Sequence, residues 1–412
     1  MFGIGDSLRH LPFFEETAAH EEHEGDWRAA AAGLVTLRLV DGWIEEGPEL
    51  AAPDSWNVRA VLRAIDAMDE GSTLPSILRS IVSAMREATA SNIHDVIPRL
   101  AAYGRALEYE AKWSLALDVY DTIVAHTHPM EESDAAVAAH SRRGVCLRTL
   151  GRLDAAQDAY QTAGRIAVAS GDMIGVLQAR LGDAKIAVAR GNLPQAERVL
   201  DDTIARASTL GIAEIHSKAL QDRAMVAGMR GRHDLAIELA YDALRQTASQ
   251  IERDRILNDI GTAFHMLGLR SVARDAFLVL SATAQEQYIR WLAMLSLLGI
   301  AAEDGLEPVF DQIRRQLRPR ELPPELEIEY YIRLGRGSRQ LGLDDQGQIA
   351  LGKAVELSEH YGLYALLFEA EEALKVPTRN RRLQPVEEDA IPLRVAGVAE
   401  AVRHMRIAAV AT

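Results

Sequence analysis

The chain has little of what disulfide-bonded, nucleic-acid-wrapping and membrane-spanning proteins need. Its 412 residues include one cysteine, which excludes an internal disulfide and any multi-cysteine zinc site. Lys and Arg number 45 against 60 Asp and Glu, and a net charge of −15 argues against a surface that wraps nucleic acid. No uncharged apolar run reaches the roughly 18 residues of a membrane span, and no basic-then-apolar signal segment opens the chain. We therefore expect a cytoplasmic protein that binds neither membranes nor nucleic acid directly.

Strand signals are also scarce. No sustained alternation of apolar and polar residues is present, and aromatic residues make up only 5% of the chain. Segment after segment is rich in Ala, Leu, Arg and Glu, with apolar residues spaced three and four apart. This spacing places the apolar side chains on one face of a helix. The sequence predicts an all-α fold.

Glycine residues recur along the chain at nearly constant intervals. With one alanine in the series, they are Gly25, Gly71, Ala111, Gly151, Gly191, Gly231, Gly268, Gly305 and Gly342. The successive intervals are 46, 40, 40, 40, 40, 37, 37 and 37 residues. A tight turn between two antiparallel helices needs a residue that accepts left-handed dihedral angles, and glycine does so without steric cost. The series predicts about nine antiparallel helix pairs.

Two further positions keep the register of these turns. Seven residues before the turn, most units carry a small residue: Ala18, Ala64, Gly104, Gly144, Ala184, Ala224, Gly261 or Gly335. Nine residues after it, many carry a larger apolar residue: Leu34, Tyr120, Tyr160, Leu200, Phe277 or Leu351. A small residue lets paired helices approach closely, and the larger one fills the remaining space.

The pattern resembles the tetratricopeptide repeat family. The segment GVCLRTLGRLDAAQDAYQTA, from Gly144 to Ala163, carries the family's small residue, turn glycine, alanine, aromatic and second small residue in order. The units run 37–40 residues, longer than the family's usual length of about 34. The resemblance implies a right-handed α-solenoid, a superhelix in which the first helix of each pair lines a concave ligand groove.

If the first helices of this chain line a groove as they do in that family, the repeat register identifies the side chains that face it. The basic ones are Arg105, Arg148, Lys185, Lys218, Arg255, Arg336 and Arg339, and the acidic ones are Asp69, Glu108, Glu303 and Glu329. The excess of seven bases over four acids predicts a locally basic groove in an acidic chain. Polar neighbours that could bond an extended backbone are Tyr109, Gln178, Gln221, Asn258 and His265. We expect a protein or peptide partner that is acidic or presents a C-terminal carboxylate.

The ends of the chain differ from its middle. Residues 1–56 are interpreted as an acidic N-terminal cap with an atypical first pair, since residues 1–50 hold 3 basic and 11 acidic side chains. Residues 57–375 hold the repeats and a capping helix, and 376–392 read as a linker. Residues 393–412 form an amphipathic helix with Val395, Val398, Val402, Met405 and Ala409 on one stripe. That helix either caps the array or docks in the groove of its own chain or a neighbour. A homo-oligomer could form through it or through the cap.

Few motifs suggest chemistry. His20 and His23 are the best metal candidates, although they lack the spacing of a zinc-protease helix. Gly347 to Ala354 resembles a phosphate-binding loop without its final Ser or Thr, and register places it inside a helix. Cys146 is interpreted as a buried apolar residue, and His126 and His128 as a solvated turn. We expect no cofactor.

The sequence therefore predicts a non-enzymatic, peptide- or protein-binding scaffold. Two alternatives stay open at this point. One is a peptide sensor that changes its superhelix shape on binding, and the other is a small metal-dependent hydrolase that uses His20 and His23.

Overall fold

A computed structural model describes residues 9–18, 27–68, 72–88, 92–129, 131–375 and 390–410. All regular secondary structure within these ranges is helical, which confirms the prediction of an all-α helical-repeat fold. The chain divides into two compact units, Met1–Ala207 and Ser208–Thr412. None of the described helices is long and apolar enough to cross a membrane.

The first unit contains the helices of five pairs. They are α1 (Leu11–Ala18), α2 (Trp27–Glu46), α3 (Trp56–Asp66), α4 (Leu74–Glu87), α5 (Ile97–Tyr109), α6 (Trp113–His126), α7 (Ser133–Thr149), α8 (Leu153–Ser170), α9 (Met173–Ala189) and α10 (Leu193–Thr209), the last of which ends just inside the second unit. Short 3-10 helices at Pro48–Ala51 and Ile93–Asp95 interrupt this series.

The second unit contains four more pairs and two single helices. They are α11 (Ala213–Met229), α12 (His233–Gln246), α13 (Gln250–Met266), α14 (Arg270–Thr283), α15 (Gln287–Glu303), α16 (Glu307–Gln316), α17 (Pro324–Gln340), α18 (Asp344–Tyr361), α19 (Tyr364–Lys375) and α20 (Leu393–Val410). The described part of the chain therefore holds nine successive helix pairs, as the glycine series predicts, and seven of the turns that join them lie within it. A 3-10 helix at Pro319–Glu321 precedes α17.

The turn residues adopt the backbone conformation that the register requires. Six turn glycines have positive φ, from 71° at Gly305 to 83° at Gly268. Ala111, which fills the slot without glycine, also has a positive φ of 59°. An L-residue with a Cβ is disfavoured there by roughly 1 kcal/mol. The repeat keeps its geometry at this turn at a cost in backbone energy. Gly25 and Gly71 lie outside the described residues.

The small and large register positions meet within each pair. A Cβ built on Gly104 would lie 2.6 Å from the Tyr120 ring, and one built on Gly261 would lie 2.9 Å from the Phe277 ring. The large side chain therefore occupies the space that the glycine leaves, as the sequence predicts. Close packing of this kind is what holds the two helices of a pair together.

In the second unit the helices form two sides. The first helices contact each other in sequence, α11 with α13, α13 with α15 and α15 with α17, and they define the first-helix side. The second helices α12 and α14 instead contact α20, which returns along the chain to cover them. Of the two alternatives for the C-terminal helix within its own chain, α20 therefore covers second helices and does not lie on the first helices, where the resemblance places the groove.

A buried ionic cluster links the start of the chain to α2 and α6. Protonated His10 donates from Nδ1 to Asp118 Oδ2 at 2.7 Å and from Nε2 to Asp41 Oδ2 at 3.1 Å, and His126 Nε2 lies 2.8 Å from Asp41 Oδ1. Burial alone would lower the pKa of His10, but the two carboxylates outweigh it and raise the pKa to about 9. His126 is thus part of this cluster, which corrects its interpretation as a solvated turn residue.

Candidate functional site

A cavity of about 450 Å³ opens on the first-helix side of the second unit. Helices α11 and α13 form its walls, and α12 forms its floor. The side chains around it are Gln221, Asp222, Ala224, Met225, Met229, His233, Ala236, Ala240, Asp259, Thr262, Ala263 and Met266, together with Gly228. Small alanines on α12 leave the space, and longer side chains on the two walls give it its chemistry.

Three methionines supply the apolar surface of this cavity. Met225, Met229 and Met266 are 46%, 56% and 63% exposed, although methionine is among the residue types most often buried. A methionine side chain is flexible and polarizable, so it adapts to apolar groups of different shape. Exposed methionines around one cavity indicate an adaptable apolar binding surface.

The two walls of the cavity carry the same residue types at equivalent repeat positions. Met229 and Met266 both stand two residues before a turn glycine, and Asp222 and Asp259 both stand nine residues before it. The sequence interpretation missed these four residues, because it selected charged and polar side chains at other register positions and left out apolar ones. Their equal register was the signal that could have revealed them.

Asp259 is one of two carboxylates in the lining of this cavity, the other being Asp222. Gln221 donates from Nε2 to Asp259 Oδ2 at 3.1 Å, and removal of water by the cavity walls raises the pKa of Asp259. The residue itself is exposed to solvent. A cation that approaches this carboxylate stabilises its charged form, so the position favours a positively charged ligand group.

A second, more polar cavity lies beside the first. It has a volume of about 500 Å³ and includes Lys218, Gln221, Ser249 and Glu252 in its lining. Lys218 and Gln221 belong to the residues selected from the sequence, and Gln221 lines both cavities. The two cavities therefore form one continuous stretch along α11, which we call the α11 groove.

Two predicted basic residues, Lys218 in this groove and Arg255 beside it, are engaged with carboxylates. Lys218 Nζ lies 2.6 Å from Glu214 Oε1 one turn earlier. Arg255 donates from Nε and Nη2 to the two oxygens of Glu286 at 3.1 and 3.0 Å, and from Nη1 to Glu252 at 3.1 Å. Glu214, Glu252 and Glu286 were not counted among the acidic groove residues, and they offset the basic excess here.

The remaining predicted residues of the second unit are also paired or partly buried. Arg336 Nη1 lies 2.6 Å from Glu369, and Arg339 donates to the carbonyl oxygen of Ala373 at 2.8 Å near the end of α19. His265 Nε2 lies 2.8 Å from Glu303. Asn258 is half-buried on α13 beside the groove. Only Lys218 and Gln221 of the predicted set line the α11 groove cavities.

The predicted residues of the first unit lie on α5, α7 and α9. Arg105, Tyr109 and Gln178 are exposed, and Tyr109 is 94% exposed, whereas Arg148 and Lys185 are half-buried. Glu108 was expected in the groove, but it is buried and accepts hydrogen bonds from the Tyr120 hydroxyl at 2.7 Å and from Arg142. Asp69 lies outside the described residues.

The motifs considered for catalysis do not form a site among the residues described. No group of three or more His, Cys, Asp or Glu side chains in those ranges could hold a metal ion. Residues 347–354 lie inside α18, as register predicts. Cys146 is fully buried, and burial raises the pKa of its thiol to about 12. His20 and His23 lie outside the described residues.

The fold and its register define an all-helical repeat protein whose units resemble tetratricopeptide repeats. No family model and no curated protein matches the chain. Similar solved structures include the Rap conjugation gene regulator of the plasmid pLS20 in complex with a Phr peptide, at 13% identity over 80% of this chain and 97% of that one, with a TM-score of 0.44. The apo quorum sensor NprR from B. thuringiensis is 12% identical over 84% and 92% of the two chains, with a TM-score of 0.47.

A third similar structure is a signal transduction ATPase with a tetratricopeptide repeat sensor from Pyrococcus horikoshii. It is 14% identical over 84% of this chain, with a TM-score of 0.47, and the alignment spans 55% of its own length. At such identities the likeness concerns the fold alone.

Proposed function

We propose that this protein is a non-enzymatic, peptide-binding regulatory scaffold, and that the α11 groove captures an extended segment of its partner. The observation that carries the proposal is the cavity between α11 and α13, where exposed methionines surround space that no side chain of the described chain fills. An apolar side chain of a peptide would be removed from water there, at a gain of roughly 25 cal/mol for each Å² buried.

The polar groups of the cavity give the ligand its expected chemistry. Asp259 favours a basic side chain or a free amino group. Gln221, His233 and Thr262 line the same cavity and can bond the amide groups of an extended backbone. We therefore propose a segment that combines an apolar anchor with a positive charge.

The sequence prediction of an acidic segment or a C-terminal carboxylate remains a second ligand chemistry for the same groove. It depends on Lys218 and Arg255, whose partners Glu214 and Glu286 an anionic ligand would have to replace. The Met229–Met266 cavity needs no such exchange, which is why the basic apolar segment is proposed first.

Two fluorescein-labelled heptapeptide pools of equal leucine content test this choice, one containing lysine and the other glutamate. Anisotropy at low salt should show binding of the lysine pool to the wild-type chain. Asp259→Asn should weaken that binding by up to about fivefold, because an ion pair with an exposed carboxylate contributes up to about 1 kcal/mol. A Met229→Ala/Met266→Ala chain should also bind more weakly.

Met173→Ala is the matched control, since Met173 is an exposed methionine of the first unit, 43% exposed and far along the sequence from α11. Preference for the glutamate pool, abolished by Lys218→Glu with Arg255→Glu, would favour the carboxylate chemistry instead. Absence of binding of either pool would contradict the groove assignment. Small-angle scattering with saturating peptide measures whether binding also changes the shape of the chain, as the sensor alternative requires.

A further inference from the structure

Helix α20 covers the second-helix side of the second unit through a narrow apolar stripe. Val395, Val398, Ala399 and Val402 are buried against α12 and α14, while Ile407 on the same helix is 67% exposed. This confirms the first three apolar positions of the stripe that the sequence indicates and places them on helices opposite the α11 groove.

Two arginines fix the ends of this stripe. Arg394 donates from Nη1 to Asp234 at 3.2 Å and from Nε to Glu238 at 2.6 Å, both on α12. Arg406 pairs with the buried carboxylate of Asp275 on α14. The two arginines are twelve positions apart on the α-helix, a rise of about 18 Å. The surface of α12 and α14 thus selects an apolar stripe with a positive charge at each end.

Helix α20 fills this surface incompletely. Arg406 borders a cavity of about 530 Å³ whose apolar lining includes Leu278, Met294 and Val309. Gly397 lies in the second turn of α20, exposed and with no atom within 4 Å of a Cβ built on it, so no packing contact requires a glycine there. Glycine and valine both lower helix propensity, so α20 gains much of its helical order from docking.

We propose that the face of α12 and α14 is a docking site for an amphipathic helix of a partner protein, and that α20 occupies this site until such a helix displaces it. The partner helix carries a small-apolar stripe between two basic residues about twelve positions apart. The site shares α12 with the α11 groove, because Ala236 and Ala240 face that groove while Asp234 and Glu238 hold Arg394. The inference stands on the contacts of α20 and does not depend on the proposed peptide ligand.

The probe is a fluorescein-labelled peptide of residues 390–410, titrated with the full chain. Because the tethered α20 competes at high effective concentration, the wild-type chain should bind the probe weakly. A chain with Arg394→Glu and Arg406→Glu should bind it at least about tenfold more tightly, since its own helix is repelled by Asp234 and Asp275. The matched control is Arg403→Glu, an exposed position on α20, and this chain should behave as wild type.

Two variants of the probe make the result specific. A Gly397→Ala probe should bind the released chain about fivefold more tightly, because alanine favours the helix and meets no obstacle. A probe with Arg406→Asp should bind poorly to that chain but should bind a full chain carrying Asp275→Arg. The two probes compared on one chain control for misfolding.

Three results would overturn the proposal. The first is equal probe binding by the wild-type and doubly reversed chains. The second is no binding by the reversed chain while hydrogen exchange shows that its α20 amides have lost protection. The third is concentration-dependent dimerisation of the wild-type chain that the probe dissociates, which would assign the site to α20 of a second copy instead of a partner protein.

Discussion

The ring of Tyr160 occupies the space that a side chain at Gly144 would need. A Cβ built on Gly144 lies 2.7 Å from Tyr160 Cε1, closer than such atoms approach in folded proteins. A Cβ built on Gly182 of the following pair would also lie too close to this ring, nearest to Tyr160 Cδ1. One aromatic side chain therefore connects two successive pairs, and glycine at both positions makes the fit possible.

Gly144→Ala should therefore destabilise the chain by about 1–3 kcal/mol, because an extra methyl group in a packed interior forces neighbours to move. Urea unfolding of the variant followed by circular dichroism measures the change. Gly352→Ala is the control, since Gly352 also lies inside a helix but has open space around it. The control should be neutral or slightly stabilising, and equal destabilisation of both variants would contradict the packing explanation.

Ala111→Gly should raise the free energy of unfolding by up to about 1 kcal/mol. The native φ of 59° at Ala111 strains an L-residue, and glycine removes that strain although it also gives the unfolded chain more freedom. Thermal unfolding measures the shift. The reverse change at an equivalent turn, Gly151→Ala, should lower the melting temperature, and a lowered value for Ala111→Gly would count against the strain.

The His10 cluster should make the free energy of unfolding depend on pH both in the alkaline range, through His10, and in the acidic range, through Asp41. The pKa of His10 rises from 6.5 to about 9 on folding, so its stabilisation is complete below pH 6.5 and is lost as the pH rises through 9. Burial alone would raise the pKa of Asp41, but the hydrogen bonds from His10 and His126 lower it. The Asp41 carboxylate therefore stabilises the folded chain above pH 3.8, and this stabilisation is lost as the pH falls below that value.

His10→Asn is the variant that tests this cluster, because asparagine tolerates the positive φ of 61° at that position. The difference in unfolding free energy between wild type and variant should be on the order of 2 kcal/mol near pH 6 and should close above pH 9. Chemical denaturation from pH 5 to pH 10 provides the comparison. A constant difference across this range would show that the histidine acts through packing alone.

Cys146 should resist thiol reagents in the folded chain. Burial raises the pKa of this thiol to about 12, and only the thiolate reacts rapidly. Ellman's reagent at pH 8 should modify the protein at a rate at least about a hundredfold below that in 8 M urea. Rapid modification of the folded protein would mean that α7 opens locally, or that the thiol is activated.

Much of the fold is readable from the sequence, because the repeat imposes the same requirement at each turn. The left-handed Gly231 and Gly268 and the contact of Gly261 with Phe277 follow directly from register. The turn at Ala111 also follows from register, because this alanine occupies the glycine slot and adopts the same sign of φ.

The candidate site was less predictable. Register places Lys218 and Arg255 on the first-helix side. It does not reveal the ion pair between Arg255 and Glu286, because Glu286 belongs to the following helix pair. Met229 and Met266 resemble ordinary core residues in a sequence, and only their exposure distinguishes them. Side-chain pairing and exposure depend on distances between helices, which a one-dimensional pattern does not contain.

His10 and Asp118 are 108 residues apart, whereas most contacts in a repeat array join neighbouring helix pairs. Closing so long a loop costs conformational entropy, and the ion pair can offset this cost only after it has formed. Early helix pairs can therefore assemble from local contacts, but the histidine can be secured only after α6 has formed. The N-terminal segment should join last, in a step that sets the slowest refolding rate of the first unit.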